Sequence, residues 1–487
     1  MISHALCEHV NCIIYNFPYI HVCKWTYFEP IVLIAKFPFK QDTSILSFLK
    51  MSNIPIRNIN RLSRLFQPVV STLPSSNTQN PKNVSQTCEN LIKYGLIKPV
   101  NNGMYAVLPL GLRVLNKLIN LVENEMETIG AQKISLPALT STALWKRTDR
   151  FESNQSELFK VQDRHNKQYI LSPTYEETIC DLIASVGGLS PKVLPLKLYQ
   201  ISNKWRDEMK PRLGFLRSKE FVMKDLYTFD TTLENAQETY ELICNAYDNI
   251  LKKIGITFKK AIGDTGTIGG LISHEYHYAT NIGEDIICSC SSCQYSINKV
   301  VCNDSHCPKC NNTLVEQHTA EVGHTFLLDT KYTKPLKAVY RMHNHKVLPL
   351  AMGCFGLGLS RIFTVAAEIL STNDELRWPK CIAPYTVCVI PPKTGSKEDP
   401  ASQYIDHILG ILNQLNIDAV LDDRTQLTIG NRFILSRITG FPYIIVIGRS
   451  AMKSPPLFEI HNINDSTNCE ITLESIHNYF NTEINKS

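Results

Sequence analysis

At 487 residues the chain has room for two or three domains of roughly 100–200 residues each. With 44% apolar and 20% charged residues it is neither an extreme-charge nor a low-complexity chain, and a net charge of +5 points to an anionic partner without identifying one. Its 16 Cys include many single, apolar-flanked thiols such as Cys180, Cys244, Cys354 and Cys388, which excludes a secreted disulfide framework.

In chain order, residues 1–50 are rich in Cys, His and aromatics and show no clean periodicity. The apolar run Ile31–Phe39 is broken by Lys36 and Pro38, well under the ~20 residues a membrane-spanning helix needs. Between Asp42 and Glu89 there is no acidic residue, while Arg57, Arg61 and Arg64 stand among Ser, Ile and Leu. That is the composition of a transit peptide, with a disordered polar arm as the competing reading, so residues 51–88 read as presequence and Ser/Asn/Pro-rich linker, with folded structure from Glu89 onward. Leu112, Leu115, Leu118, Ile119, Val122, Met126 and Ile129 recur at helical spacing after Pro109-Leu110-Gly111 and stop at Gly130. Ile134–Pro137 reads as a short strand. Tyr199–Trp205 and Phe221–Phe229 read as strands around a charged loop, Asp207–Lys219, and Leu233–Lys253 as a helix. These elements predict an α+β fold, with helices on an antiparallel sheet over residues 89–379. After Trp378-Pro379, strands and helices alternate (Tyr385–Ile390, Ser402–Leu415, Ile417–Leu421, Ile429–Thr439, Tyr443–Ile447), which predicts a smaller α/β domain over 380–487.

The charged loop carries chemistry. An enzyme that activates a carboxylate with ATP needs a guanidinium shared between that carboxylate and the α-phosphate, since its fork matches oxyanions. It also needs an acceptor for the adenine amino group and a flat apolar face under the ring. Arg206, Glu208 and Phe221 suit these tasks, with Arg217 for the outer phosphates; an ordinary charged surface hairpin is the competing reading. Gly353-Cys-Phe-Gly356-Leu-Gly358-Leu-Ser-Arg361 then lets a backbone approach a ligand closely, with an Arg one turn later. It lacks the βαβ setting and last Gly of a dinucleotide fold.

In order and spacing, the helix and strand of Leu112–Pro137, the Arg206-x-Glu208…Arg217-x-x-x-Phe221 hairpin and Gly356-x-Gly358-x-x-Arg361 resemble the three motifs of class II aminoacyl-tRNA synthetases. Ser172-Pro-Thr174-Tyr-Glu176-Glu-Thr is similar to the Thr-x-Glu loop of the prolyl members. Similar prolyl-specific segments are Gly263–His277, Met223-Lys-Asp225, Glu321-Val-Gly-His324-Thr-Phe326 and Ala351-Met-Gly-Cys354. Leu370–Pro379 and Leu421–Arg432 look most like animal mitochondrial members, and the resemblance runs from about Glu89 to the C-terminus.

It implies an enzyme that makes prolyl-adenylate from L-proline and ATP, with Mg2+, and passes the prolyl group to tRNA(Pro) in the mitochondrial matrix, as a homodimer and off the membrane. Arg206 and Arg361 would be catalytic. ATP would be held by Arg206, Glu208, Arg217, Phe221, Glu321, His324, Gly356, Gly358 and Arg361. Thr174 and Glu176 would take the secondary ammonium, with Arg206, His274, Phe326 and Cys354 completing the proline site. The C-terminal domain would read the anticodon, with Asp423, Arg424 and Arg432 as candidates against ordinary surface charge. A synthetase-derived nucleic-acid-binding protein without catalysis is the alternative. Four positions depart from the family pattern, Trp205, Leu213, Tyr175 and Lys219, and none removes a role named above.

Bacterial-type relatives carry a large editing domain between the segments matching Gly283-Glu-Asp and Glu321-Val-Gly-His; here only the short insertion 286–320 stands there. The expectation is no hydrolysis of alanyl-tRNA in cis and some activation of alanine. A smaller side chain is rejected by only ~1–3 kcal/mol per methylene. The insertion instead holds Cys290-x-x-Cys293 and Cys307-x-x-Cys310. This spacing fits a structural four-thiolate zinc site, with His306 able to replace one ligand, or else idle thiols left by a lost domain.

Overall fold

The structure, a computed structural model, describes residues 13–17, 20–24, 60–69 and 85–485. Met1–Asn58 and Ile59–Ser487 are separate compact units. Within the first, Ile13–Phe17 and Ile20–Lys24 pair antiparallel.

In the second unit a nine-stranded sheet forms the floor of the catalytic domain. Its centre is antiparallel: Leu196–Trp205, Glu220–Asp230, Ala351–Leu357 and Val315–Asp329 are successive neighbours. Two helices pack behind it. Leu233–Ile254 is capped by the Thr232 side chain and ended by Gly255, whose φ of 81° favours glycine. Pro109–Thr128 starts three residues before the apolar repeat, because Pro109 at the first position forfeits an N–H that would have no helical partner. Its fully buried stripe is Leu110, Val114, Leu118, Val122 and Met126, whereas Leu112 is 44% exposed. The next strand is only Gln132–Lys133. Ile134 adds one more bond to Tyr199, and Leu136 then donates its N–H to the Gln200 side chain instead of a ladder.

The insertion builds Asp285–Ser289 and Ser296–Asn298, and these close a ring of pairings with Phe258–Ile262, Ile272–Ala279 and Val315–Asp329.

The C-terminal domain is a second sheet, with Tyr443–Val446, Val387–Ile390 and Ala419–Leu421 parallel and Leu457–Asn462 and Thr467–Thr472 antiparallel. Asn60–Arg61 adds a sixth strand, parallel to Val420–Leu421. Part of the stretch that composition assigns to a presequence is therefore packed: Leu62 is buried, and Gln67 donates to the Tyr94 carbonyl and to Thr439. Arg113 and Lys117 of the long helix grip Asp418 at 2.7 and 2.9 Å and so tie the two domains. No helix among the described residues is long and apolar enough to cross a membrane.

Candidate functional site

Alternation along the central strands puts one residue in two on the open face of the sheet. Phe221, Met223, Asp225 and Tyr227 point there from one strand, Cys354 and Gly356 from the next, and His324 and Phe326 from the third. Pairing sets them in rows: Tyr227–Cys354–Phe326, then Asp225–Gly356–His324. Above lies a cleft of about 310 Å³. A Cβ on Gly356 would meet nothing closer than Met223 Sδ at 3.6 Å, so the glycine leaves open floor and relieves no clash.

At one end Glu176, the first residue of helix Glu176–Ser185, is fully buried. It accepts from Thr174 Oγ1 at 2.7 Å, Cys354 Sγ at 3.0 Å and Arg150 Nη1 at 2.9 Å. Burial works against its charge, but Arg150 and these donors outweigh burial and hold it ionised. Its neighbour Glu177, 3.1 Å from the same guanidinium, is pushed up by burial. Arg150 lies over the Trp145 ring at 4.7 Å. The indole Nε1 and Arg150 Nε have no hydrogen-bond partner among the described residues.

At the other end the Trp205-to-Glu220 loop folds back. Arg217 Nε donates to Glu208 at 2.7 Å and Nη1 to Glu284 at 3.0 Å. Arg361 donates to the carbonyls of Leu216 and Glu321. Burial alone would raise the Glu321 carboxyl, yet His324 at 3.0 Å and Arg361 bring it down to about 2. His324 stacks on Phe326, centroids 3.9 Å apart. Arg206 lies over the Phe221 ring at 5.2 Å, and its guanidinium has no salt bridge among the described residues. Burial and the nearby Arg361 lower its pKa.

Of the residues the sequence singles out, Thr174, Glu176, Arg206, Glu208, Arg217, Phe221, Glu321, His324, Phe326, Cys354, Gly356, Gly358 and Arg361 all line this cleft. His274 does not: its ring turns to the Tyr240 hydroxyl at 2.8 Å, behind the sheet, where burial lowers its pKa to about 4. Sequence reasoning missed Trp145, Arg150 and Glu157, which also line the cleft. Arg150 sits in an unremarkable polar run, Thr148-Asp-Arg150, and only the fold brings it to Glu176.

The anticodon candidates fare differently. Arg432 is fully buried, with its Nη atoms on the carbonyls of Asp422 and Pro391 at 3.0 and 2.7 Å, so it braces the domain and cannot meet a base. Arg424 is paired with Asp422 at 2.7 Å, and Asp423 accepts from Ser63 N and Oγ at 3.0 and 2.7 Å. The four thiols of the insertion converge: Cys290, Cys293, Cys307 and Cys310 place their Sγ atoms within 4.8 Å of one another. His306 is turned toward Asp304.

Residues 159–370 match the tRNA synthetase class II core domain of the G, H, P, S and T type, and residues 386–483 match an anticodon binding domain. The chain is 42% identical over 424 residues to the probable mitochondrial proline–tRNA ligase of Mus musculus, covering 85% of this chain and 89% of that one. It is 44% identical to the Homo sapiens counterpart, over 82% and 86% of the two chains. It is 32% identical to the proline–tRNA ligase of a Wolbachia from Drosophila simulans, over 87% of this chain and all of that one. In fold it matches a Giardia lamblia prolyl-tRNA synthetase solved with prolyl-adenylate, at a TM-score of 0.68 and 17% identity, covering 80% and 75% of the chains.

Proposed function

The chain belongs to the class II proline–tRNA ligases of mitochondrial type, and from that premise we propose how its own residues carry the reaction. It is an aminoacyl-tRNA ligase that joins proline to its transfer RNA at the expense of ATP. The observation that carries the residue assignment is Arg206, a guanidinium with no salt bridge among the described residues, which lies over the Phe221 ring and lines the same cleft as the buried Glu176.

Proline enters at Thr174 and Glu176. Glu176 accepts one hydrogen of the secondary ammonium and Thr174 Oγ1 the other, while Phe326 and Cys354 bound the ring. Adenine lies on Phe221, with Glu208 accepting from its amino group. Glu321, ionised beside Arg361 and His324, would hold a Mg2+ brought with ATP, whose chemistry there would be to neutralise charge on the outer phosphates. A proline carboxylate oxygen attacks the α-phosphorus, the bond to pyrophosphate breaks, and Arg206 stabilises the charge that develops between them. The 3′-terminal hydroxyl of the transfer RNA then attacks the prolyl carbonyl, and AMP departs. No side-chain nucleophile is needed. A zinc ion at the four thiols would touch no reacting atom in either step, because all four ligands would be protein thiols and no coordination position would stay open.

The matrix is the compartment this reading assigns, with the import signal ahead of Asn60, and a homodimer is the assembly; light scattering tests the latter. Proline-dependent exchange of pyrophosphate into ATP tests the activity. Exchange with proline, and weakly with alanine, supports it. No exchange from folded protein that still binds transfer RNA overturns it in favour of the non-catalytic alternative.

A further inference from the structure

We infer that the Cys290–Cys310 insertion is a zinc ribbon whose metal, though outside the cleft, positions the nucleotide end through Asn298. The inference rests on the proposed structural zinc and adds what that metal does.

Three Sγ–Sγ distances are 3.4, 3.4 and 3.6 Å, for Cys290–Cys310, Cys293–Cys307 and Cys293–Cys310. Four sulfurs at ~2.3 Å from a tetrahedral zinc stand about 3.8 Å apart, whereas a disulfide needs ~2.05 Å. The two Cys-x-x-Cys turns are copies of one another. Cys290 N donates to the Tyr295 carbonyl and Cys307 N to the Asn312 carbonyl, both at 2.8 Å. The residue after each second cysteine is left-handed: Gln294 at φ 59° and Asn311 at φ 61°. Ser292 N points at Cys290 Sγ at 3.4 Å, and Asn312 Nδ2 ties the second turn to Ser292 Oγ at 2.7 Å. Backbone N–H groups aimed at sulfur favour the thiolate, which is the metal-binding form. Between Ser291 and Leu314 only Ser296, Asn298 and Cys307 are buried, so no apolar core holds this segment. A metal would supply the folding free energy that burial does not.

The held strand, Ser296–Asn298, delivers one side chain inward. Asn298 Nδ2 donates to Glu275 Oε2 at 2.7 Å, with both residues buried. Glu275 Oε1 accepts from Asp264 N at 3.3 Å, at the start of a loop lining the cleft, and lies 3.9 Å from His324 Nε2. A Cβ on Gly263 would strike the Glu275 side chain at 2.6 Å, so this carboxylate is wedged beneath the loop. His324 in turn holds Glu321 at 3.0 Å, beside Arg361. Without the metal the turn that follows Ser296–Asn298 loosens, Glu275 loses the Asn298 donor and keeps only His277 Nε2 at 2.8 Å and Asp264 N, and the loop and His324 shift with it. Asn298 is a positioning residue that never touches ATP.

The test starts with total metal analysis of the full chain purified without chelator. The expected result is ~1 zinc per chain, released in step with four thiols by an organomercurial. Zinc below a tenth of stoichiometry, with the thiols free or paired as disulfides, overturns the site. Asn298→Ala should keep its zinc, bind ATP ~10-fold more weakly by equilibrium dialysis and leave the KM for proline within about twofold. Unchanged ATP affinity, or equal losses for both ligands, overturns the coupling. Should that variant not fold, dialysis of the wild-type chain before and after zinc release gives the same readout. Stoichiometric zinc in a chain that shows no proline-dependent exchange would sink the proposed reaction and leave the metal site standing.

Discussion

The two ends of the cleft are built on opposite principles. At the proline end Glu176 is fully buried and every donor around it is in place, including a guanidinium that is itself 5% exposed. At the nucleotide end the charged groups hold one another near water: Arg217, 41% exposed, with Glu208 and Glu284, and Arg361, 33% exposed, with Glu321. Proline is small and offers few contacts beyond its ammonium and carboxylate, so its site is preformed and rigid. ATP brings its own charge, so its site stores cations in exposed pairs worth ~0–1 kcal/mol each, which phosphate can exchange at small cost.

That contrast can be broken by substitution. Arg206→Ala removes the group the two ends share, and proline-dependent exchange should fall ~10²–10³-fold, with the thermal midpoint unchanged. Normal exchange would remove Arg206 from the chemistry. Arg150→Met leaves two carboxylates buried without their cation and should cost ~3–5 kcal/mol in urea denaturation. Adding Glu177→Gln should recover part of it; a cost below ~1 kcal/mol would mean that the proline end is not preformed. Arg217→Ala breaks only exposed pairs. It should leave stability within ~1 kcal/mol, raise the KM for ATP ~10-fold and spare the KM for proline.

Smaller still, Ser63→Ala should cost ~1 kcal/mol of stability and leave the KM for transfer RNA unchanged, because Ser63 secures Asp423 to the strand beside it. His274 sets a pH signature. Folded, it stays neutral down to about 4, whereas an unfolded histidine takes up its proton near 6.5. Stability from this group is therefore complete above 6.5 and falls as the pH drops from 6.5 to 4; His274→Gln should flatten that slope.

Much of the cleft was legible because its residues sit at strand ends and in a loop whose lengths and residue types follow from the chemistry: an Arg, an acceptor and an aromatic around one hairpin. His274 was misplaced because it came from a segment-level resemblance, and neighbours on a strand face opposite ways: Ser273 reaches His324 of the cleft, while His274 turns to Tyr240 behind the sheet. Arg150 was invisible because its partners lie 26 and 27 residues further on. Arg432 was misread for a related reason: an Arg at a helix start suggests a ligand, but here it serves two buried carbonyls. The strand at Asn60–Arg61 left no trace in composition, since two residues are too few for alternation.

That short strand has a consequence for how the molecule assembles. Ser63 meets Asp423 across 360 residues, so the earliest folded stretch of this unit waits for a partner made near the end of the chain. Closing a loop of that length costs ~5 kcal/mol of chain entropy, recovered only when the last sheet exists. A chain emerging N-terminus first, from a ribosome or a narrow pore, can complete its catalytic sheet well before the edge at Ala419–Leu421 is covered. The strand then works as a clasp that shuts only on a finished product, and a truncated chain would expose the bare sheet edge that quality-control proteases and aggregation both act upon.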